Sequence, residues 1–507
     1  MKDKALFLID GTHKPDNTIF SIKELEDRFN VKVAALTWIG GTEKIESKNK
    51  FKEIFNKEFG VEVYFPLDKE GKCVPEKGIK KSLSENGKIK TVVQLSGAPQ
   101  IFRKLTVKYA LIASAYEAKY IAGGTVFNEY RVGTRHSNPS LGLYATNKRV
   151  GKTSFGSYVG NLVAGLKGKA TSWKPVIITH SRGGPPDPPL IDIYKKSKKK
   201  PLADITIEDI LKSRFKEEYL EKLVNLGLHG ASDVFEDALI LSKYLDEWER
   251  KGNKVPYMSM IGCRRAGGGY FNEFVVSNAG KGIKKANKSE ANITIHEGSG
   301  GEHPPVEVDN IIFFIPSDVP LDLLDDFPGL EKARLFIVAN CQPETTTPDR
   351  VKKVKSIIKE RSYGARVLNT RFVPEIVGDT EKVKGKKCAF FTTAPGYILN
   401  KLGKQLEETY GCEIMKVYNN LDSDEQMKNT IDNLSEKGVE LIFFEIKARG
   451  VEGVKYASKK YGLSTRYINN IPQHVDEDFE PAKNNQNLDK AIINEIKRTE
   501  KIFKDLI

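Results

Sequence analysis

The sequence predicts an α/β protein of several domains, and three observations support this fold class. The chain has 507 residues, which at roughly 100–200 residues per domain corresponds to about three domains. Its composition, 39% hydrophobic and 29% charged, is that of an ordinary globular protein. Short β-rich runs alternate with helix-compatible stretches along most of the chain, and this alternation favours parallel βαβ units.

The first predicted domain covers residues 1–140, with helical stretches at Asn17–Phe29 and Pro99–Ala118. Glycine turns close several of its strands, and ligands bind at the carboxyl ends of strands in open α/β sheets. We therefore expect a Rossmann-like α/β domain that contributes to a binding site. Its predicted strands are Ala5–Ile9, Val31–Trp38, Val61–Phe65, Thr91–Leu95 and Tyr120–Ala122.

Residues 141–380 form the second predicted domain, and residues 381–507 form the third, a βα series with a terminal helix. We interpret Ile207–Leu226 as an amphipathic helix and the lysine run Lys195–Lys200 as a solvated loop. The second domain has predicted strands at Leu141–Ala145, Val176–Thr179, Asn292–Ile295, Ile311–Ile315 and Leu335–Ala339. The third has Cys388–Thr392, Ile414–Val417, Leu441–Phe444, Thr465–Ile468 and the helix Asn487–Ile507.

The net charge of +14 and the pI of about 9.1 favour anionic partners. Charge alone would favour nucleic acid, but zinc-finger spacing and an aromatic RNA-binding signature are both missing from the sequence. We therefore expect a small phosphorylated substrate. The five cysteines contain no CxxC pair, and no apolar run approaches the ~18–20 residues of a membrane span. With no signal peptide recognised, we expect a cytoplasmic protein without a membrane partner.

The strongest local motif is T-N-K-R-V-G-K-T, which follows a predicted strand and precedes a predicted helix. It matches the phosphate-loop pattern G-x-x-x-x-G-K-[ST] except that Thr146 stands at the first glycine. Backbone N–H groups of such a loop hold nucleotide phosphates, the lysine reaches the β/γ-phosphates and the final hydroxyl binds Mg²⁺. The predicted nucleotide-binding residues are Thr146, Asn147, Lys148, Arg149, Gly151, Lys152, Thr153 and Ser154, of which Lys148, Arg149 and Lys152 are also predicted to be catalytic.

A second motif, I-T-I-H-E-G-S-G-G, ends an apolar strand in a carboxylate that is followed by a glycine loop. Phosphoryl transfer needs an acidic residue near the metal, on a strand beside the phosphate loop. Glu297 is our candidate for that catalytic, metal-binding residue, with Thr153 as its partner. The alternative is an ordinary exposed glutamate at a turn.

Two further segments combine arginine with glycine, beginning at Arg182 and at Gly262. Arginine binds phosphate oxygens bidentately, and glycines let the backbone approach an anion. We expect Arg182, Arg264 and Arg265 to bind a second polyanionic ligand, whereas surface ion pairing is the alternative. Asp233 shares a helix face with Asp237 and could bind metal or orient the arginines, although capping explains it almost as well.

Together these segments resemble the cyclic 2,3-diphosphoglycerate synthetase family over roughly Ala5 to Asn470. The phosphate loop and the glutamate-glycine strand end are also similar to dethiobiotin synthetase. That likeness implies a central P-loop NTPase-like parallel sheet, with Asn340 as a base reader and Phe372 and Pro374 beside the base. The other matching segments begin at Leu8, Gly40, Arg182, Ala231, Gly262 and Thr392.

The resemblance implies an ATP- and Mg²⁺-dependent synthetase that closes an intramolecular phosphoanhydride in 2,3-bisphosphoglycerate, releasing ADP and phosphate. In that reading the N-terminal unit contributes Asp10, His13 and Lys44 to substrate binding. A homodimer is left open. The alternatives are a P-loop synthetase acting on another anionic acid, a nucleotide-switched regulatory protein and, on charge alone, a nucleic-acid binder.

Overall fold

The structure of the protein is a computed structural model. It describes residues 2–11, 13–40, 47–95, 101, 103–123, 125–127, 132–146, 150–166, 172–181, 186–194, 240–241, 244–245, 247–266, 276–298, 303–327, 329–377, 380–446 and 448–506. The segments Lys195–Lys200 and Ile207–Leu226 lie outside these residues. Large parallel sheets flanked by helices confirm the predicted α/β class.

The N-terminal unit is a sheet of six strands among the described residues, in the order β3-β2-β1-β4-β5-β6. Its strands are parallel except for β6. The chain leaves β1 and β4 in opposite directions, which creates a crevice at their carboxyl ends. The elements are β1 Asp3–Ile9, α1 Pro15–Arg28, β2 Val31–Trp38, α2 Lys48–Phe59, β3 Glu62–Tyr64, α3 Pro75–Glu85, β4 Ile89–Gln94, α4 Arg103–Ala115, β5 Lys119–Ala122 and β6 Thr125–Phe127.

The central unit begins with β7, whose six residues are all buried, as expected for a strand covered on both faces. Parallel partners β12 and β13 flank it. The elements are β7 Ser140–Ala145, α5 Lys152–Val163, β8 Pro175–Ser181, β9 Leu190–Asp192, β10 Ser259–Ala266, β11 Val276–Ser277, α6 Ala279–Asn287, β12 Ile293–Gly298, β13 Asn310–Pro316, α7 Leu321–Asp326, β14 Leu335–Ala339, α8 Pro348–Arg361 and β15 Arg366–Val377.

The C-terminal unit continues the same sheet. Within the described residues this sheet has 13 strands, in the order β11-β10-β8-β12-β7-β13-β14-β15-β19-β18-β16-β17, with β9 beside β10. The elements are β16 Lys387–Phe391, α9 Leu399–Tyr410, β17 Glu413–Tyr418, α10 Asp424–Ser435, β18 Leu441–Glu445, α11 Ala448–Tyr461, β19 Ser464–Val475 and α12 Gln486–Leu506.

Two 12-residue strands, β15 and β19, join the central and C-terminal units. β15 is parallel to β14, whereas β19 is antiparallel to β15 and parallel to β18. The strands of the two units therefore run in opposite directions. Their carboxyl edges face each other across the middle of the pair, where Arg371 lies opposite Gln473 and Glu375 opposite Asn469.

Packing around the central sheet brings together distant parts of the chain. Helix α12 contributes Leu488, Ala491, Ile492 and Ile496 to the same core as Phe155 and Val159 of α5. The N-terminal unit is joined to the central unit by Lys80, which lies 3.4 Å from the carboxylate of Glu331. Among the described residues, no helix is both long and apolar enough to cross a membrane.

Candidate functional site

The predicted phosphate loop leads from β7 directly into α5. Gly151 is the N-cap of α5 and has a φ of 74°, a conformation that favours glycine. A Cβ at this position would lie 1.9 Å from Cζ of Phe372, so the ring leaves no space for a side chain. Two independent constraints therefore require glycine here. Asn147, Lys148 and Arg149 lie outside the described residues.

The first turn of α5 faces the carboxyl edge of the sheet. Lys152 is its first residue and only 6% exposed, while Thr153 and Ser154 are half-buried. The first four N–H groups of a helix have no partner within the helix, and together with the helix dipole they attract anions. Thr146, also 6% exposed, directly follows the preceding strand and donates its N–H to the carbonyl of Phe314 at 3.2 Å. This geometry suits the phosphates of a nucleotide.

Glu297 lies on β12, the strand beside β7, opposite Leu143 of β7 and Thr179 of β8. Alternate residues of a strand face the same side, and Ile293 and Ile295 pack in the core with α5. The carboxylate of Glu297 therefore points to the face of the sheet that α5 covers. With only 3% exposure, Glu297 is not the surface turn residue of the alternative interpretation.

Asn340 directly follows β14 and has a φ of 60°, and its carbonyl accepts a 2.9 Å hydrogen bond from the hydroxyl of Ser317. β13 separates β14 from β7, so Asn340 lies about two strand spacings, or about 10 Å, from the phosphate loop. Phe372 packs edge-on against Phe155, with ring centroids 5.8 Å apart, and lies against Gly151. This ring therefore supports the phosphate loop itself.

Arg264 and Arg265 of the second arginine-glycine segment belong to the strand β10, which was not among the predicted strands. Strand alternation turns them to opposite faces of the sheet, so they do not form one arginine cluster. Arg265 is 3% exposed, whereas Arg264 is exposed. The apolar residues Met258, Met260 and Ile261 are the strand signal in this part of the sequence. Arg182 and Asp233 lie outside the described residues.

Two buried histidines, His180 and His296, form a hydrogen-bonded chain with the half-buried His136 on the opposite face of the central sheet. Nε2 of His180 lies 2.9 Å from Nδ1 of His296, and Nε2 of His296 lies 2.9 Å from Nε2 of His136. Burial lowers the pKa of His136 to about 4 and that of His180 to about 3, and holds that of His296 well below its usual range. Because neutral His296 has one N–H, both hydrogen bonds must run in the same direction.

In the N-terminal unit, Asp10 lies at the crevice between β1 and β4. It is 2% exposed, and Oδ1 accepts the backbone N–H of His13 at 3.3 Å and lies 3.0 Å from Nδ1 of the same ring. Asp10 and His13 therefore form a pair at a position where α/β sheets bind ligands. They belong to a different sheet from Lys152 and Glu297, and Lys44 lies outside the described residues.

At the carboxyl edge of the C-terminal unit, Glu445 organises a polar network that the sequence analysis did not assign. Its carboxylate accepts hydrogen bonds from the Thr392 hydroxyl at 2.9 Å, the Thr393 N–H at 2.7 Å, the Thr393 hydroxyl at 3.0 Å and the Asn470 amide at 3.0 Å. The segment T-T-A-P at Thr392 was part of the family resemblance, but nothing local pointed to Glu445, which comes from a strand 53 residues later.

Within the described residues, no group of three or more His, Cys, Asp or Glu side chains is arranged to hold a metal ion. This does not conflict with a Mg²⁺ site, because Mg²⁺ beside phosphates keeps several waters and needs only one or two protein carboxylates. A hydroxyl at Thr153 and a carboxylate at Glu297 are oxygen ligands of the kind that Mg²⁺ prefers.

A glycine-initiated helix after the central strand, with a buried lysine and a glutamate on the same face, defines a P-loop nucleotide-binding protein. Residues 140–371 match the family described as cyclic 2,3-diphosphoglycerate synthetase, P-loop domain. Residues 4–128 match its N-terminal domain and residues 379–471 its C-terminal domain. The chain belongs to the cyclic 2,3-diphosphoglycerate synthetase family and is an enzyme of the ATP-dependent ligase type.

Curated relatives match nearly the whole chain. The cyclic 2,3-diphosphoglycerate synthetase of Methanothermus fervidus is 30% identical over 99% of this chain and 98% of the relative. The protein of the same name from Thermococcus sibiricus is 30% identical, over 96% of this chain and 97% of its own length. That from Rubrobacter xylanophilus is 27% identical, over 92% and 94%.

Proposed function

We propose that this protein uses ATP and Mg²⁺ to convert 2,3-bisphosphoglycerate to cyclic 2,3-diphosphoglycerate, releasing ADP and phosphate. The observation that carries the proposal is that Lys152, at the start of α5, and Glu297, on β12 beside β7, lie on the same side of the sheet, the side that α5 covers. The names of the full-length relatives support the choice of substrate and product.

In the proposed site, residues 146–154 bind the ATP phosphates. The backbone N–H groups at the start of α5 and the ammonium of Lys152 contact the β- and γ-phosphates, and Lys148 and Arg149 add positive charge beside the transferring group. Thr153 and Glu297 would hold Mg²⁺, which when bound supplies charge neutralisation for phosphoryl transfer. Asn340 reads the base.

The proposed chemistry has two transfers. An oxygen of one substrate phosphate attacks the γ-phosphorus of ATP, and the bond from that phosphorus to the β-phosphate oxygen breaks to release ADP. An oxygen of the neighbouring substrate phosphate then attacks the phosphorus of the substrate phosphate that was phosphorylated in the first step. The bridging P–O bond breaks, inorganic phosphate leaves and the ring anhydride closes. Two anionic phosphates must be held together, which requires neutralisation of charge and proximity.

The substrate-binding residues in this proposal are mostly basic and include two aspartates. The basic groups neutralise the phosphates, while Asp10 orients the ring of His13 through the contact at Nδ1. The N-terminal unit, residues 1–140, contributes part of this site to the nucleotide-binding unit of residues 141–380. The set comprises Asp10, His13, Lys44, Arg182, Asp233, Arg264 and Arg265.

A phosphorus NMR time course with ATP, Mg²⁺ and 2,3-bisphosphoglycerate tests the proposal. New cyclic-anhydride resonances should appear in step with ADP and phosphate, and Lys152→Ala should abolish them because the γ-phosphate loses its main cationic contact. Near-normal turnover by Lys152→Ala would overturn the phosphate-loop assignment.

The same time course separates the alternatives. Consumption of ATP without cyclic product would favour a synthetase of this branch acting on another anionic acid. Bound but unconsumed ATP would favour a nucleotide-switched regulatory protein.

A further inference from the structure

Tyr397 is a large aromatic side chain that remains 55% exposed at the carboxyl edge of the C-terminal unit. It lies in the 3₁₀ turn Gly396–Ile398, which runs directly into α9. The network around Glu445 fixes the loop before this turn, because Thr392 and Thr393 both donate to that carboxylate. The ring is therefore presented from a rigid part of the backbone.

The face of the turn that carries Tyr397 is directed towards the central unit. Lys401 follows Tyr397 by four residues, and side chains four residues apart on a helical run share a face. The ammonium of Lys401 lies 2.8 Å from the carboxylate of Glu344, in the loop that follows β14. Glu344 in turn follows Asn340 by four residues. The ion pair thus joins the two facing carboxyl edges at the position of Tyr397.

The separation between these two edges would accommodate a nucleotide. In the strand register, the end of β14 pairs with Asn369 of β15. Glu445, at the end of β18, pairs with Ile468 of β19, and Ile468 in turn pairs with Ile376 of β15. Six to seven residues of β15 separate the two levels, which corresponds to about 20 Å. A nucleotide with its phosphates on the loop after β7 can extend along this edge, past β13, to Asn340.

We propose that Tyr397 stacks on the purine base of the nucleotide, so that the C-terminal unit completes a site whose phosphate end lies on the central unit. This inference rests on the proposed function. Base stacking on an aromatic side chain changes affinity by roughly tenfold or more.

The test compares binding of ATP and of inorganic tripolyphosphate, which lacks a base, by isothermal titration calorimetry with Mg²⁺ present. Tyr397→Ala should weaken ATP binding by roughly tenfold and leave tripolyphosphate binding unchanged, whereas Tyr397→Phe should bind both ligands like the wild type. Tyr363→Ala is the matched control, because Tyr363 is 92% exposed and precedes β15 at the opposite edge of the sheet.

The inference is overturned if Tyr397→Ala binds ATP like the wild type, if it loses both ligands equally, or if Tyr397→Phe loses as much as Tyr397→Ala. Failure of the proposed function would look different. The wild type would then bind no ATP, bind ATP with no effect of Lys152→Ala, or bind ATP without forming the cyclic product.

Discussion

At the residue scale, the backbone conformation and contacts of individual residues determine which side chains the phosphate loop can accommodate. Gly151 combines a left-handed φ with a contact to the ring of Phe372 that excludes any Cβ. Thr146, in contrast, does not have a positive φ, so a residue with a side chain can replace the first glycine of the pattern. The loop therefore has glycine where the backbone conformation requires it and another residue where the conformation does not require glycine.

Glu297→Gln tests the acidic partner, since it preserves the size of the side chain and removes its charge. We expect turnover at saturating Mg²⁺ to fall by about 10²–10³-fold, the usual effect of losing one transition-state contact, with metal-free nucleotide binding nearly unchanged. Steady-state kinetics over a Mg²⁺ titration measure this. Glu290→Gln, at an exposed position before the same strand, is the control, and equal activity of both variants would remove Glu297 from the site.

At the element scale, β8 and β12 present different functional groups on the two faces of the sheet. Glu297 faces α5, while its neighbour His296 faces the segment before β7 and links His136 to His180. The chain of histidines ties these strands to residues 132–139, which precede the central unit. This link depends on three rings that remain uncharged.

His136→Gln and His136→Asn test this link. The amide of Gln can replace Nε2 of His136 as the partner of His296, whereas Asn is too short. We expect Asn to destabilise the protein by about 1–3 kcal/mol, the cost of a buried unpaired group, and Gln by clearly less. Thermal unfolding measures the difference, and equal losses for the two variants would contradict the hydrogen-bond assignment.

The same variants change the pH dependence of stability. The pKa of His136 is about 4 in the folded protein, below its usual value near 6.5, so the unfolded chain binds more protons between these values. Stability contributed by the neutral ring is therefore lost as the pH falls from about 6.5 towards about 4. His136→Gln should flatten the fall of the melting temperature across this window.

At the scale of the whole molecule, segments far apart in sequence complete one another. Helix α12 closes the core beneath the phosphate-loop helix, and Glu495 within it accepts a 2.9 Å hydrogen bond from the amide of Asn310 on β13. The long pair β15–β19 turns two sheets into one and sets their carboxyl edges face to face. The stability of the nucleotide-binding unit should therefore depend on the last twenty residues of the chain.

Ile492→Ala tests that dependence. Ile492 is 1% exposed in the core shared with α5, and truncation of such a residue costs about 2–5 kcal/mol. Differential scanning calorimetry should show a lower melting temperature, partly restored by saturating ATP because a bound ligand stabilises the folded state. Lys501→Ala, on an exposed position of the same helix, is the control, and a matching effect of both substitutions would exclude core packing as the cause.

Local patterns were sufficient to predict much of the fold. Val31–Trp38 and Leu335–Ala339 were predicted with their observed bounds, because a buried parallel strand is a continuous apolar run between turn residues. The phosphate loop could also be predicted from the local sequence, because its strand, glycine and helix follow one another along the chain. β10 was not predicted, and β15 could not be paired with β19 because the paired residues lie about 100 residues apart in the sequence.

The sequence by itself determined the α/β class, the family and the position of the phosphate loop, since each depends on residues that are neighbours along the chain. Only the tertiary structure decided which face of β12 carries Glu297, that Arg264 and Arg265 point apart, and that the carboxyl edges of the central and C-terminal units face each other. Those features depend on strand register and strand direction. Both are fixed by pairing between distant segments, and a shift of one residue would turn every side chain to the other face.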